Sequence, residues 1–223
     1  MYDLTFDRES INESCFLCGN SNIIWFCKDK KRDYLKCLCC NLIFIPEKQR
    51  LSRNEEVKRY NLHQNNMNND GYLNFLYKLI KPLSSIVASK SCGLDFGSGP
   101  NPVLSAILST KYEYLMTNYD VFYNPEDSAF NHKYDFITAI EVLEHLYYPG
   151  KELTRLWNCL KTGGVFAVMT KVLDEKDSFE NWFYKNDPTH VVFFSKSTFI
   201  WLKNKLHAEI KFECNDVIIF KKI

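Results

Sequence analysis

Two pairs of cysteines near the start of the sequence restrict the fold of this chain more than any other feature. Cys15 and Cys18 form one Cys-x2-Cys pair, Cys37 and Cys40 form another, and 18 residues lie between the pairs. This spacing suits a single tetrahedral zinc ion, because each tight turn supplies two thiolates and the spacer forms a hairpin. Four thiolates leave no open position on the metal. The pattern therefore predicts a structural zinc ion in an N-terminal ribbon, residues 1–48.

The rest of the cysteine usage agrees with a reducing compartment. The first residues are acidic and contain no apolar stretch, which predicts that there is no signal peptide and that the protein is cytoplasmic. The 9 cysteines are then metal ligands and core thiols rather than disulfides. Cys39 is an alternative ligand to Cys40, whereas Cys92, Cys159 and Cys214 are expected in the core. About 30 residues bury too little surface to fold without a metal or similar staple.

Charge gives little reason to expect nucleic acid or membrane as a partner. The chain has 28 basic and 27 acidic residues, and no apolar run approaches the ~18 residues needed to cross a bilayer. Five basic residues do cluster in the predicted ribbon hairpin: Lys28, Lys30, Lys31, Arg32 and Lys36. A solvated hairpin explains them more simply than RNA binding. A small-molecule partner is therefore favoured, with nucleic acid as the alternative.

Strand-like and helix-like segments alternate in the second half of the chain. The predicted strands are residues 93–96, 112–119, 134–140 and 165–170, and the predicted helices are 102–109, 151–160 and 196–206. Residues 208–213 and 217–221 are predicted to form a closing hairpin around Asn215 and Asp216. The alternation predicts an α/β, Rossmann-like domain over residues 91–223, with a parallel sheet and an antiparallel edge.

Residues 49–90 between these two parts are predicted to form a helical linker or lid. A polar helix from about Arg53 to His63 is followed by an Asn-rich loop. A second helix, residues 72–80, is expected to end before Pro82, because proline disrupts a helix interior.

A glycine turn follows the first strand of the predicted domain. Gly97 and Gly99 let the backbone approach a ligand, and ligands of such sheets bind beyond the carboxyl ends of the strands. Asp120 ends the next strand, 25 residues after Asp95, where a carboxylate can accept hydrogen bonds from ribose hydroxyls. Pro100 and Pro102 lack the N–H donors that a pyrophosphate needs, so a nucleoside without phosphates, such as S-adenosylmethionine, fits better. A turn without a ligand is the alternative.

Three segments in this order resemble class I S-adenosylmethionine-dependent methyltransferases. They are the glycine turn, YDFITAIEVLEHL from Tyr134 to Leu146, and LKTGGVF from Leu160 to Phe166. The resemblance covers about residues 91–223, and with the cysteine pairs it extends to bacterial methyltransferases that carry a zinc ribbon. It implies a seven-stranded sheet and methyl transfer from S-adenosylmethionine to a nucleophile. The residues predicted to bind the cofactor are Tyr72, Asp95, Gly97, Ser98, Gly99, Asp120 and Glu141.

One interval departs from this family. Only 14 residues separate Asp120 from Asp135, where the family fits a helix, a strand and an acidic residue that contacts adenine. Glu126 and Asp127 are the candidates for the adenine contact.

An acidic and histidine-rich motif marks the predicted catalytic site. Glu141, Glu144 and His145 stand at helical spacing, and His190 follows in Asp-Pro-Thr-His. A similar set holds a divalent metal in small-RNA 2′-O-methyltransferases. We therefore expect these four residues at the catalytic centre, either with a second divalent metal or as metal-free groups that line the site.

Aromatic residues complete the predicted site. Trp182, Phe183 and Tyr184 follow the strand after which this fold builds its acceptor pocket, whereas Phe193 and Phe194 are expected to include core residues. Tyr60, His63 and Tyr72 are expected in the lid. The predicted function is methylation of a small molecule at oxygen. RNA methylation guided by the ribbon and a non-catalytic nucleoside-binding scaffold are the alternatives; the acceptor and the oligomeric state stay open.

Overall fold

A computed structural model describes residues 13–62, 67, 69–174, 178–214 and 216–223, which form two β-sheets and five α-helices within these ranges. The smaller sheet is antiparallel and has the order β1-β2-β3-β8. Its strands are β1 (Ile23–Lys28), β2 (Asp33–Cys37), β3 (Ile43–Phe44) and β8 (Val192–Phe193). The predicted ribbon thus shares its sheet with a strand from the far end of the chain.

The larger sheet has the order β5-β4-β6-β7-β10-β9. Its strands are β4 (Cys92–Phe96), β5 (Leu115–Tyr119), β6 (Tyr134–Ile140), β7 (Leu160–Met169), β9 (Ala208–Cys214) and β10 (Val217–Lys222). The first four are parallel, and the terminal hairpin adds antiparallel strands beside β7. The predicted Rossmann-like fold with an antiparallel hairpin is confirmed.

The expectation of seven strands in this sheet is wrong. The segment between Asp120 and Tyr134 is fully described and contains a short 3-10 helix, Asp127–Asn131, but no strand that joins the sheet. The interval is too short for the additional helix and strand that the resemblance implied. The sheet therefore has six strands.

The described α-helices are α1 (Arg53–Tyr60), α2 (Asp70–Ile86), α3 (Val103–Tyr112), α4 (Pro149–Cys159) and α5 (Lys196–Lys205). Helices α2 to α5 cover both faces of the larger sheet. Helices α2 and α3 share one hydrophobic core with β7 and β10. Helices α4 and α5 share the other core with the cysteine-rich ribbon. No helix in the described ranges is both long and apolar enough to cross a bilayer.

Helix α2 contradicts its predicted end. It continues through Pro82 to Ile86, and the N–H of Val87 still donates to the Leu83 carbonyl at 3.0 Å. Ile80 and Leu83 on either side are fully buried, so packing outweighs the cost of the proline. Helix α1 ends at Tyr60; His63, its predicted end, lies outside the described residues, as does Asn215 of the hairpin turn.

Candidate functional site

The glycine turn lies at the carboxyl end of β4, where the strand order reverses between β5 and β6. Gly97 and Gly99 have φ values of +79° and +66°. A Cβ on Gly97 would lie 2.3 Å from a methyl group of Val142, whereas a Cβ on Gly99 would meet no protein atom within 4 Å. Gly97 is therefore required for packing against the segment after β6. Gly99 faces open space, where a ligand can approach the backbone.

Asp120 is fixed beside this turn by three backbone donors. Its Oδ2 accepts from the N–H of Gly99 at 2.9 Å, and its Oδ1 accepts from Phe122 and Tyr123 at 2.9 and 3.1 Å. A carboxylate has about four acceptor positions, so one more donor fits. The predicted ribose contact thus has room for one direct hydroxyl, next to Gly99.

Asp95, at the end of β4, is buried and accepts hydrogen bonds from neighbouring side chains. Its carboxylate accepts from Thr138 Oγ1 at 2.8 Å and from Ser105 Oγ at 3.5 Å. Burial raises the pKa of Asp95 to about 6. Burial, and then the charge of Asp95, raise the pKa of Tyr72 to about 12. Ser98 donates its N–H to the Tyr119 carbonyl at 3.1 Å.

A second polar group follows β6, the strand beside β4. We call it the acid–imidazole cluster; it consists of Glu141, Glu144, His145, Tyr184 and His190. Glu141 has a φ of +50°, a left-handed conformation that turns the chain into the 3-10 helix Leu143–His145. Because Val142 packs against Gly97, the cluster lies next to the glycine turn.

Tyr184 links the two carboxylates of the cluster. Its hydroxyl donates to Glu144 Oε1 and lies 3.2 Å from Glu141 Oε2. Glu144 is fully buried, and its Oε2 accepts from Thr170 Oγ1 at 2.8 Å. Sequence reasoning assigned Tyr184 to substrate stacking and overlooked Thr170, because an aromatic run does not reveal where a hydroxyl points.

The environment of the cluster shifts its proton affinities. Burial, and then repulsion by Glu144, raise the pKa of Glu141 to about 8, so this carboxyl carries a proton at neutral pH. The protonated Glu141 can donate to the Tyr184 hydroxyl, which itself donates to Glu144. Burial lowers the pKa of His190, which keeps its imidazole neutral. Titratable groups perturbed in this way are frequent at catalytic sites.

Backbone carbonyls orient both imidazoles. Nδ1 of His145 lies 3.1 Å from the Thr189 carbonyl oxygen, and Nδ1 of His190 lies 2.6 Å from the Tyr184 carbonyl oxygen. Each carbonyl can only accept, so each Nδ1 carries a proton and Nε2 is the basic nitrogen of the neutral ring. Ligand atoms of Glu144, His145 and His190 lie within 4.8 Å of one another. Glu141, the fourth predicted residue, is outside this group and faces Tyr184 instead.

The four predicted zinc ligands also meet; we call them the cysteine cluster. Cys15 and Cys40 have sulfurs 3.4 Å apart, Cys18 and Cys37 have sulfurs 3.5 Å apart, and all four lie within 4.8 Å. Tetrahedral zinc with 2.3 Å bonds needs sulfurs about 3.8 Å apart, so the group fits zinc. Cys39, the alternative ligand, is exposed and not in the group.

Three comparisons with known proteins bear on this fold. A family model described as a methyltransferase domain matches residues 65–207. The chain belongs to this methyltransferase-domain family. A search of curated proteins finds no significant match.

Solved structures agree at the level of the fold. The phosphoethanolamine N-methyltransferase 2 of Haemonchus contortus, in complex with S-adenosyl-L-methionine, is 13% identical with a TM-score of 0.56, over 76% of this chain and 48% of that one. A proposed sarcosine dimethylglycine methyltransferase from Galdieria sulphuraria is 14% identical with a TM-score of 0.49, over 63% of each chain. This methyltransferase domain therefore spans less than two thirds of either relative.

Helix α1 lies between the two halves of the site of this methyltransferase domain. The ring of Tyr60 is 5.3 Å from that of His145 and 5.5 Å from that of Phe122, which follows Asp120. Arg59 pairs with Asp187 at 2.9 Å. Helix α1, part of the predicted lid, thus contacts the glycine-turn side and the acid–imidazole side together.

The other predicted residues have varied positions. Phe193 and Phe194 are buried in the core, as expected, and Phe183 is 66% exposed. Asp127 pairs with Arg155 of α4 at 2.6 Å, and the adenine contact is still a prediction. Cys214, expected in the core, is exposed because it ends the edge strand β9.

Proposed function

We propose that this protein is an S-adenosylmethionine-dependent methyltransferase that methylates a small molecule at oxygen. One observation carries the proposal: the open face of Gly99 and the acid–imidazole cluster lie at the ends of neighbouring strands, joined through the contact of Gly97 with Val142. S-adenosylmethionine bound at the turn would place its sulfonium methyl group beside residues that can take up a proton.

The residues of the turn fit the nucleoside half of this cofactor. The backbone at Gly99 offers close approach, and the remaining acceptor position of Asp120 suits one ribose hydroxyl. When bound, S-adenosylmethionine supplies a methyl group already activated by a sulfonium. The protein then needs mainly to align the acceptor and to remove its proton.

His190 is the group best suited to take that proton. Its imidazole is neutral, its Nδ1 is fixed by the Tyr184 carbonyl, and its Nε2 can accept. Glu144 beside it favours the charged ring. His190 Nε2 would take the proton from the acceptor O–H, the acceptor oxygen would bond to the methyl carbon as the S–CH₃ bond breaks, and the electron pair of that bond would stay on the sulfur of the departing S-adenosylhomocysteine. Glu141, protonated at neutral pH, keeps Tyr184 donating to Glu144.

A divalent cation in the cluster is the alternative form of this mechanism. Glu144, His145 and His190 offer one carboxylate and two imidazoles, which suit Mn²⁺ or Zn²⁺. Such an ion supplies Lewis acidity that lowers the pKa of an acceptor hydroxyl. Glu144 already accepts hydrogen bonds from Tyr184 and Thr170, so its position does not depend on an ion, and we therefore favour the metal-free form. In the ribbon, the cysteine cluster would hold a structural zinc ion.

RNA methylation has less support. Lys30 and Lys31 of the ribbon hairpin are exposed, but Arg32 is buried. Lys28 is 3.8 Å from Asp33, and Lys36 lies over the Phe26 ring at 5.5 Å. A phosphate-binding surface needs several accessible charges. A gel shift with RNA that weakens as salt rises would restore this alternative. A non-catalytic nucleoside-binding scaffold would also use the open face at Gly99, but it has no need of the acid–imidazole cluster beside it.

A pair of glycine substitutions tests the proposal. Gly99→Ala should weaken the binding of S-adenosylmethionine about tenfold or more, measured by calorimetry, because its methyl group enters only the ligand's space. Gly163→Ala is the matched control: Gly163 has a φ of +80° and also meets no atom within 4 Å, but it lies in a turn within β7. Equal affinities in both variants, or no binding by the wild type, would refute the proposal.

A further inference from the structure

Arg32 of the ribbon hairpin is buried, although it belongs to a run of basic residues. Only 8% of it is exposed, whereas its neighbours Lys30 and Lys31 are exposed. Asp29 closes the turn: its Oδ1 accepts from the N–H groups of Lys31 and Arg32 at 2.7 and 2.8 Å, and its N–H donates to the Arg32 carbonyl at 3.0 Å. This turn directs Arg32 toward the protein and the lysines toward solvent.

The guanidinium of Arg32 donates to one loop of the methyltransferase domain. Its Nη1 lies 2.9 Å from the carbonyl oxygen of His190 and 3.5 Å from that of Pro188. Its Nη2 donates to the carbonyl oxygen of Lys185. We call residues 183–190 the active-site loop, because they include Tyr184 and His190 of the acid–imidazole cluster. A planar guanidinium can donate to several carbonyls at once, which an ammonium cannot match in this geometry.

A second tie joins the same hairpin to the same loop. The ammonium of Lys185 lies 3.3 Å from Asp29 Oδ2, and Lys185 is itself buried. Although burial raises it, hydrogen bonds from the Tyr34 hydroxyl and the backbone hold the pKa of Asp29 well below its usual range. Asp29 therefore stays charged beside Lys185.

The C-terminal end of the loop is held by backbone pairing. The N–H of Ile45, next to β3, donates to the Val191 carbonyl at 3.0 Å, and the N–H of Val191 donates to the Glu144 carbonyl at 2.8 Å. Strand β3 then pairs with β8, directly after the loop. These bonds fix where the loop ends, whereas the carbonyls of Lys185, Pro188 and His190 within it accept from Arg32.

We propose that Arg32 is a positioning residue, through which the ribbon holds the active-site loop and keeps His190 in place within the cluster. That this placement serves catalysis rests on the proposed function; the coupling itself does not. Without the guanidinium, three carbonyls in a buried region lose their donor, and the loop must open to let water reach them. The ribbon would then be part of the catalytic framework rather than a separate binding module.

Hydrogen exchange of the native protein tests this coupling. In Arg32→Met we expect exchange across residues 184–191 to accelerate about tenfold or more, while the helices α2 and α3 keep their protection. Lys31→Met is the matched control, since it removes a positive charge from the same turn but an exposed one, and it should exchange like the wild type. Arg32→Lys keeps the positive charge but lacks the planar guanidinium with its several N–H donors, so it should show an intermediate acceleration.

Chemical rescue separates positioning from general stability. In Arg32→Ala, millimolar methylguanidinium should fill the vacated site and restore protection of the loop, whereas methylammonium should not. Unchanged loop exchange in a folded Arg32→Met, or in Arg32→Lys if the first variant does not fold, would overturn the proposal. So would equal effects in Arg32→Met and Lys31→Met. Failure of the wild type to bind S-adenosylmethionine would refute the proposed function only, because the exchange contrast needs no ligand.

Discussion

The cysteine cluster and the acid–imidazole cluster both gather potential metal ligands, yet the protein holds them in opposite ways. The four cysteine sulfurs pair chiefly with one another, at 3.4 and 3.5 Å. The carboxylates and imidazoles of the other cluster are each oriented by a hydroxyl or a backbone carbonyl outside the ligand group, such as those of Thr170 and Thr189. The first arrangement needs a metal to be complete, whereas the second is already satisfied by the protein.

This difference separates a structural role from a reactive one. Thiolates packed together repel each other unless a cation lies between them, so we expect the ribbon to depend on a metal ion. Groups that are satisfied by outer hydrogen bonds keep their geometry without an ion and can exchange protons with a substrate.

Loss of one cysteine ligand should have the largest effect. Cys37→Ser should lower the melting temperature by more than about 10 °C and abolish the one zinc ion per chain expected in the wild type, because metal binding supplies much of the ribbon's folding energy. Calorimetry and elemental analysis measure both. Cys39→Ser, at the exposed neighbouring thiol, is the control and should change neither quantity. If wild-type protein without zinc melts at the same temperature as the zinc-loaded protein, the structural role is contradicted.

Removal of the Glu141 carboxyl, whose pKa is raised, should change how stability depends on pH. The pKa of Glu141 is about 8 in the folded protein, against 4.5 for an ordinary glutamate. The folded state therefore retains a proton that the unfolded state releases, and the stability of the wild type falls as pH rises from about 4.5 to about 8. Over this pH range, the free energy of unfolding of Glu141→Gln should fall by up to about 5 kcal/mol less than that of the wild type.

Urea unfolding at several pH values between 5 and 9 measures this difference. The exposed Glu126 provides the control, since Glu126→Gln should keep the slope of the wild type. If Glu141→Gln and the wild type lose stability in parallel, Glu141 is ionised normally and the cluster has a different protonation state.

Loss of the tyrosine hydroxyl should have the smallest of these effects on stability. Tyr184→Phe leaves the buried Glu144 without one of its donors and should cost about 1–3 kcal/mol in urea unfolding. The affinity for S-adenosylmethionine should stay within about twofold, because the hydroxyl does not contact the glycine turn. A Tyr184→Phe variant that is as stable as the wild type would show that Glu144 finds another donor.

The elements that were predicted correctly from the sequence are those that depend on a few adjacent residues. Strand β6 was predicted from Tyr134 to Ile140 and has those bounds, because its residues are mostly apolar, as in a strand that is covered on both faces. The glycine turn and the cysteine spacing are local as well, since each depends on a few adjacent residues. The gathering of Glu144, His145 and His190 followed from a motif resemblance rather than from spacing alone.

Long-range contacts account for what the sequence did not reveal. Arg32 reaches carbonyls more than 150 positions away, and no pattern within a hairpin marks one basic residue as buried. The hydroxyl of Tyr184 meets Glu144 only because the chain folds back over 40 positions. Pro82 stays inside α2 because its neighbours are buried, a tertiary effect that a local rule for proline cannot include.

The pairing of β3 with β8 has a consequence for the order of events during synthesis. The cysteine cluster is complete once residue 40 is made, but the partner strand of β3 begins only at residue 192. A nascent ribbon could thus bind a metal early, while Ile43 and Phe44 present an unpaired strand edge until β8 has been made. An unpaired edge can form hydrogen bonds with strands of other chains until β8 pairs with it. Chains that stop before β8 should therefore aggregate more readily than those that stop just after it.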